Sequence, residues 1–224
     1  MRQNIVQTPS KAENGRTYLE YDWFEKGIPG NVKISEHAFI DTSYGFEAFN
    51  SVVPDAMTIG SGSGCYDRAS FIVGENGKIE IGEFTILNGS LFICGDHIVV
   101  GNHCMFAWGS VITDSWKNSS YFSPAQRRNL LRAAAYSPSR QLPILSNSKP
   151  VIIEDNAWVG FDAVILPGIR LGHGSIVGSK SVVIEDVPPY CIVAGNPAKV
   201  IRKLEADDTA DAKNFAMSEY MLQQ

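Results

Sequence analysis

The sequence predicts an all-β solenoid, a fold in which a short unit of strand and corner repeats along the chain. The main observation is a six-residue repeat of aliphatic residues, and glycine often follows them directly. The clearest run consists of Ile153, Val159, Ile165, Leu171, Val177 and Val183. No helix has a period of six, and a plain two-faced strand does not require regular glycines. A strand followed by a corner does, because glycine reaches backbone dihedrals that other residues avoid.

The same repeat occurs earlier in the chain. Two sets are in phase around an extra residue near "CGDHIV", namely Ile81, Leu87 and Ile93, and then Val100, Phe106 and Ile112. A weaker set is Ile34, Ile40 and Phe46. The repeat covers most of residues 32–187, which predicts one solenoid. Residues 1–31 form an N-terminal extension in this interpretation, and residues 188–224 a terminal turn and helix.

The repeat is interrupted in its second half. Ile112 opens a unit that closes at Lys117, but the next unit opens at Ile153. Residues 118–152 are therefore predicted to leave the solenoid as an excursion. A long excursion with structure of its own usually serves function.

Two helices are predicted outside the repeat. In "SPAQRRNLLRAAAY", Ser123 suits an N-cap and Pro124 the first helical position, which predicts a helix over 124–136. Residues 204–224 have the composition of a short C-terminal helix.

Composition narrows the classes of protein. The formal net charge is −5, whereas nucleic-acid binders usually carry a basic surface. The cysteines lack the spacing of a zinc site, so no metal is expected; they are Cys65, Cys94, Cys104 and Cys191. No apolar run is long enough to span a bilayer, and we expect a cytoplasmic protein without a membrane span.

The segment "VIIEDNAWVGFDAVILPGIRLGHGSIVGSKSVVIEDVPPYCIVAGNPAKVIRK" resembles the C-terminal half of hexapeptide-repeat acyltransferases. It is most similar to the branch with xenobiotic, galactoside, maltose and polysaccharide acetyltransferases. The resemblance is dense over 151–203, recognisable over 79–117 and poor before residue 75. It implies a left-handed parallel β-helix with eighteen residues per coil. It also implies acetyl-CoA as donor, a sugar-type acceptor and a homotrimer with sites between subunits.

In the resembled family the excursion carries a histidine that acts as general base, for which imidazole is suited by its near-neutral pKa. In this chain "TDSWK" places Lys117 where that histidine stands, and the excursion holds no histidine. Three alternatives stay open: Lys117 with a lowered pKa, His103 as an outward imidazole, or a chain without transfer activity. Asp114 either orients the base or caps a turn.

The resemblance also implies a set of donor-binding positions: Trp158, Gly160, Phe161, Gly178, Ser179, Lys180 and Arg202. From spacing alone, Gly160 and Gly178 stack in successive coils, where they form a groove for pantetheine or serve only the turns. Lys180 replaces a glycine of the family pattern, while Ile184 and Glu185 replace its Thr-Lys pair. Either the phosphate contact has moved to Lys180, or the donor binds weakly.

The sequence therefore predicts an acetyl-CoA-dependent O- or N-acetyltransferase acting on a sugar, a nucleotide sugar or a polysaccharide precursor, with the usual loop histidine replaced. One alternative is a catalytically silent β-helix that binds a sugar or a protein partner. A remote alternative is a zinc enzyme resembling γ-carbonic anhydrase. That enzyme requires three convergent histidines, whereas His97 and His103 fall on adjacent faces.

Overall fold

The computed structural model describes residues 11–115, 123–137 and 147–206. From residue 32 the chain visits three sheets in a fixed order, and we call each round of the three sheets a coil. The first sheet contains six parallel strands: Val32–Ile34, Met57–Ile59, Lys78–Ile81, His97–Val100, Val151–Ile153 and Arg170–Leu171. The second contains eight: Phe39–Ile40, Gly64–Tyr66, Ile86–Asn88, Met105–Phe106, Trp158–Val159, Ile176–Val177, Cys191–Gly195 and Ala198–Lys203. The third contains five: Ser70–Val73, Leu91–Cys94, Val111–Thr113, Val164–Ile165 and Val182–Val183.

Both ends of the coiled region differ from this pattern. In the first coil a 3-10 helix, Ser43–Phe46, stands where later coils have a strand of the third sheet. The last two strands of the second sheet pair antiparallel, whereas all other pairs in the three sheets are parallel. An antiparallel sheet of Lys11–Glu13, Arg16–Tyr18 and Ile28–Pro29 precedes the first coil.

The six-residue repeat marks the residues that point inward. All six members of the clearest run are at most 1% exposed. In the last coils strand partners lie eighteen residues apart, as Trp158 and Ile176 do in the second sheet. The inward row therefore builds a continuous aliphatic core, and its burial is the main stabilising contribution of the repeat.

One part of the predicted repeat is wrong. Ile93 was expected to point inward, but Phe92 is fully buried instead and pairs with Ile112. The corner at Gly89 is one residue shorter than its counterpart at Gly109, so the inward position moves back by one. After the next corner, before His97, the repeat is in phase again at the inward residue Val100.

We name the corners by the sheets they join: first to second (first corner), second to third (second corner) and third to first (third corner). Several corners pair a glycine with an aromatic ring of the next coil. Gly89 has φ +48°, and a Cβ there would lie 2.9 Å from Trp108. Gly62, with φ +69°, stands in the same relation to Phe84. Glycine is required at both positions because the ring occupies the space of a side chain.

The predicted excursion helix is present as Pro124–Tyr136. Ser123 accepts the N–H of Gln126, and the Gln126 side chain accepts the N–H of Ser123, which completes a capping box. For the predicted C-terminal helix, residues 204–206 are not helical and the remainder lies outside the described residues.

Candidate active site

The predicted donor-binding residues fall on the second sheet and the second corner. Across the second sheet, Trp158, Ile176, Ile192 and Arg202 lie side by side in register. The side chain of Trp158 is 43% exposed, and Arg202 is exposed at the edge strand. Strands are spaced about 4.8 Å apart, so Trp158 and Arg202 are separated by roughly 14 Å.

At the second corner, aromatic and charged residues succeed one another from coil to coil. The rings of Trp108 and Phe161 are parallel, with an interplanar angle of 9° and centroids 5.7 Å apart. The indole N–H of Trp108 donates to Asp67 Oδ2 at 2.8 Å. Both rings are about half exposed, so this stacked pair presents an apolar surface to ligands.

Lys180 continues the same corner one coil beyond Phe161. Its ammonium donates to Asp162 Oδ2 at 2.9 Å, and this hydrogen bond raises the pKa of Lys180. Lys180 is therefore cationic at neutral pH. A phosphate that binds here has to compete with Asp162 for the ammonium group.

Packing between successive coils explains why glycine stands at positions 160 and 178. A Cβ on Gly160 would lie 2.8 Å from both Ser179 N and Val177 O, so the next coil fills the space that a side chain needs. A Cβ on Gly178 would meet Ala194 Cβ at 3.1 Å. Close contact between coils thus accounts for both glycines without a ligand, and their part in donor binding stays a prediction.

Asp114 lies at the third corner, where the excursion leaves the coils. Its side chain is fully buried and accepts the backbone N–H groups of Gly95, Asp96 and His97 at 2.7–2.8 Å. Its Oδ1 also accepts the hydroxyl of Ser115. Of the two roles considered for Asp114, the structure therefore shows the capping of a turn.

The other two catalytic candidates do not share that corner. His103 is exposed at the first corner, with φ +56°, and its ring stacks on Phe84 at 5.3 Å. The outward direction predicted for it is confirmed. Because Asp114 lies at the third corner, it does not orient His103 within one chain. Lys117 lies outside the described residues.

Two features escaped the sequence analysis. Trp108 holds the same corner position as Phe161, a correspondence hidden by the excursion between them. His97 opens a strand of the first sheet, next to the third corner, and its Nε2 lies 3.0 Å from Glu80 Oε1. Lys78 also donates to Glu80 and, with His97, lowers the pKa of that carboxyl.

Within 11–115, 123–137 and 147–206, no group of three or more His, Cys, Asp or Glu side chains is placed to hold a metal ion. In this part of the chain no helix combines the length and apolar character needed to cross a bilayer.

Comparison with known proteins agrees with the repeat. Residues 150–185 match the family model described as bacterial transferase hexapeptide, six repeats. A chloramphenicol acetyltransferase of Klebsiella aerogenes is 31% identical over 121 residues, which are 50% of this chain and 54% of that protein. One of Escherichia coli is 54% identical over 52 residues, 23% of this chain and 25% of that protein. The chain thus spans about half or less of the length of these relatives.

Solved structures extend the similarity over more of the coils. A hexapeptide-repeat acetyltransferase of Vibrio cholerae O1 biovar eltor, complexed with acetyl-CoA, is 28% identical, covers 72% of this chain and 74% of its own, and has a TM-score of 0.51. The N-acyltransferase AntD of Bacillus cereus, covering 87% of this chain and 90% of its own with a TM-score of 0.54, is 18% identical and shares the fold. Residues 150–185 therefore carry the bacterial transferase hexapeptide repeat, and the chain is similar over most of its coils to a hexapeptide-repeat acetyltransferase.

Proposed function

We propose that the protein is an acetyl-CoA-dependent O- or N-acetyltransferase acting on a sugar-type acceptor, such as a sugar, a nucleotide sugar or a polysaccharide precursor. The carrying observation is the similarity, at 28% identity over most of the coils, to an acetyltransferase solved with acetyl-CoA. The left-handed winding expected from the resemblance and a cytoplasmic location belong to the same proposal.

The donor site proposed here lies along the second sheet and second corner. Trp158 and Phe161 offer exposed apolar surface, while Lys180 and Arg202 offer cations for the phosphates of coenzyme A. Gly160, Gly178 and Ser179 bring main-chain groups of successive coils to the same side. Arginine and lysine are the usual partners of phosphate.

In the reaction, an acceptor hydroxyl or amine attacks the thioester carbonyl, and a base removes its proton. The C–S bond breaks, and the coenzyme A thiolate leaves and takes up a proton. Lys117 and His103 are the two candidates for the base, and Asp114 supports the corner from which the segment with Lys117 departs. General-base catalysis contributes on the order of a hundredfold or more.

We also propose a homotrimer with the site shared between subunits. In the last four strands of the third sheet the outward row is aliphatic and half-buried, and its members there are Leu91, Val111, Val164 and Val182. Such a row favours burial against another copy of the chain. Sedimentation at micromolar concentration should give three chains per particle, and a monomer there would contradict the shared site.

The decisive experiment combines donor binding with turnover. Calorimetry should show coenzyme A binding to the wild type, and Ser179→Trp should abolish it, whereas Ser35→Trp at an exposed position of an early coil should not. Thiol release from acetyl-CoA should then rise with at least one sugar or amino sugar. Absence of coenzyme A binding at millimolar concentration would favour the second candidate, a silent β-helix that binds a sugar or a protein partner. The observation favouring that candidate is that Asp114 is occupied by backbone N–H groups.

A further inference from the structure

We propose that the second corner holds a pyranose ring against the indole of Trp108, with the carboxylate of Asp67 accepting hydrogen bonds from the sugar hydroxyls. The substrate class assigned to this position is an uncharged sugar, presented as the acceptor. Its role as acceptor rests on the proposed acetyltransferase function, whereas the binding itself does not.

Trp108 is fixed in place before any ligand arrives. Its N–H is bound to Asp67 at 2.8 Å, its ring edge lies over Gly89, and Phe161 stacks parallel to it. An indole that is 48% exposed yet held by three neighbours loses little conformational entropy when a ligand packs on it. The apolar C–H face of a pyranose suits such a ring, while its hydroxyls need polar partners at the rim.

The charge of the side chains changes along the second corner. Asp41, Asp67 and Arg68 lie at this corner in the early coils, and the backbone N–H of Arg68 donates to Asp41. Two carboxylates and one guanidinium give this end a net negative charge. Burial raises the pKa of Asp41, and the negative charge of Asp67 raises it further. The two carboxyl groups therefore interact electrostatically. Lys180 stands at the opposite end of the corner and is paired there with Asp162 at 2.9 Å, so this end carries no net negative charge.

This charge distribution assigns the ends of the two substrates. Phosphates are repelled by the carboxylates near Asp67 and are better accommodated beside Lys180, where they compete with Asp162 for the ammonium group. The acyl end of a donor with its phosphates at Lys180 therefore extends toward Phe161 and Trp108. An acceptor near Trp108 meets the carboxylates, which accept hydrogen bonds from hydroxyl groups and disfavour a phosphorylated ring.

The test compares Trp108→Ala with Trp23→Ala, since Trp23 is another exposed tryptophan, 62% exposed, at the far N-terminal end of the coils. Saturation-transfer NMR and calorimetry would use methyl glucoside, methyl galactoside, glucosamine and glucose 6-phosphate without donor. Trp108→Ala should weaken binding of the preferred sugar at least tenfold, and Trp23→Ala should leave it within twofold. Asp67→Asn should lower the affinity for the neutral sugar. It should also reduce the ratio of that affinity to the affinity for glucose 6-phosphate.

Kinetics give the second readout. With acetyl-CoA, Trp108→Ala should raise the acceptor KM at least tenfold, a larger change than that in the KM for acetyl-CoA, and Trp108→Phe should recover much of the loss. Equal sugar binding by Trp108→Ala and wild type overturns the inference, as does a change of oligomeric state in Trp108→Ala, which would mark an interface between copies. If no sugar binds the wild type, the inference is wrong, while transfer to a non-sugar amine would leave the acetyltransferase proposal standing. If sugars bind at Trp108 without any acyl transfer, the inference holds and the proposed function fails.

Discussion

The carboxylate of Asp114 accepts the backbone N–H of His97 at 2.8 Å, across the third corner from which the excursion departs. The same carboxylate accepts the N–H groups of Gly95 and Asp96. One buried side chain thus satisfies three successive donors of the preceding coil. Asp114, which the sequence resemblance implies as a neighbour of the general base, is therefore a structural support for its corner.

Replacing Asp114 by alanine should therefore destabilise the fold. Three N–H groups in part-buried hydrogen bonds lose their acceptor. Each unsatisfied group costs about 1 kcal/mol or more, so we expect a loss of about 3 kcal/mol in the free energy of unfolding. Urea denaturation followed by circular dichroism measures it. Asp96→Ala is the matched control, because the exposed Asp96 contributes its backbone N–H, which that change keeps. Unchanged stability in Asp114→Ala together with a large loss of turnover would instead support an orienting role.

The base is tested by pH profiles of variants. Lys117→Ala or His103→Asn should slow transfer on the order of a hundredfold, whichever removes the base. A lysine base gives activity that rises above about pH 8, and a histidine base gives a plateau near about pH 7. Asparagine tolerates the positive φ of position 103.

His37→Asn is the control for the histidine variant, because His37 is also exposed and has φ +63°. If neither Lys117→Ala nor His103→Asn slows turnover tenfold, both assignments fail. If Lys117→His creates or raises transfer, the corner still matches the family pattern in which a histidine stands there.

Much of the fold follows from local rules in the sequence. Val159 and Val177 point inward because the period of six returns the same side of the strand to the core in every coil. The helix Pro124–Tyr136 begins where Ser123 caps it and proline fixes its first residue. Both features depend on a few neighbouring residues, which is why they were predictable.

The site was less predictable because it depends on which corner each residue reaches. Ile93 turned outward since one corner is shorter by a residue, and no local signal marks that shortening. His103 and Asp114, eleven positions apart in sequence, reach different corners, so their nearness in sequence does not bring them together. The packing role of Gly160 depends on Ser179 in the next coil, which spacing alone does not distinguish from a groove.

Stability should depend on pH through Asp22. Burial alone would raise the pKa of this carboxyl, but hydrogen bonds from Ser43 and Thr42 outweigh that effect and lower it. A lowered folded-state pKa stabilises the fold above the unfolded value of 3.8, and this contribution disappears as pH falls through the folded value. Asp22→Asn should lower the free energy of unfolding by about 1–2 kcal/mol at pH 7 and by less at pH 3.

The stability change caused by Asp41→Asn should depend on pH in the opposite direction. Burial raises the pKa of Asp41, so its ionisation opposes folding as pH rises through the folded value. The free energy of unfolding of Asp41→Asn, taken relative to wild type, should therefore be higher at pH 7 than at pH 3. Chemical denaturation at the two pH values measures both variants, and parallel pH dependence of the two would contradict these assignments.

The last prediction separates packing from ligand binding at the two stacked glycines. Gly160→Ala places a Cβ 2.8 Å from the backbone of Ser179 and Val177, whereas the Cβ of Gly178→Ala meets the Ala194 methyl at 3.1 Å. Backbone atoms of a packed coil yield less than a side chain, so Gly160→Ala should destabilise by about 2–3 kcal/mol and Gly178→Ala by about 1 kcal/mol or less. Thermal and urea unfolding would rank the two variants. Calorimetry with coenzyme A on each folded variant then shows whether donor affinity follows stability. A loss of affinity beyond tenfold in Gly178→Ala, with stability nearly unchanged, would show that the missing side chain at this position serves the donor. Equal stability of the two variants would contradict the packing explanation.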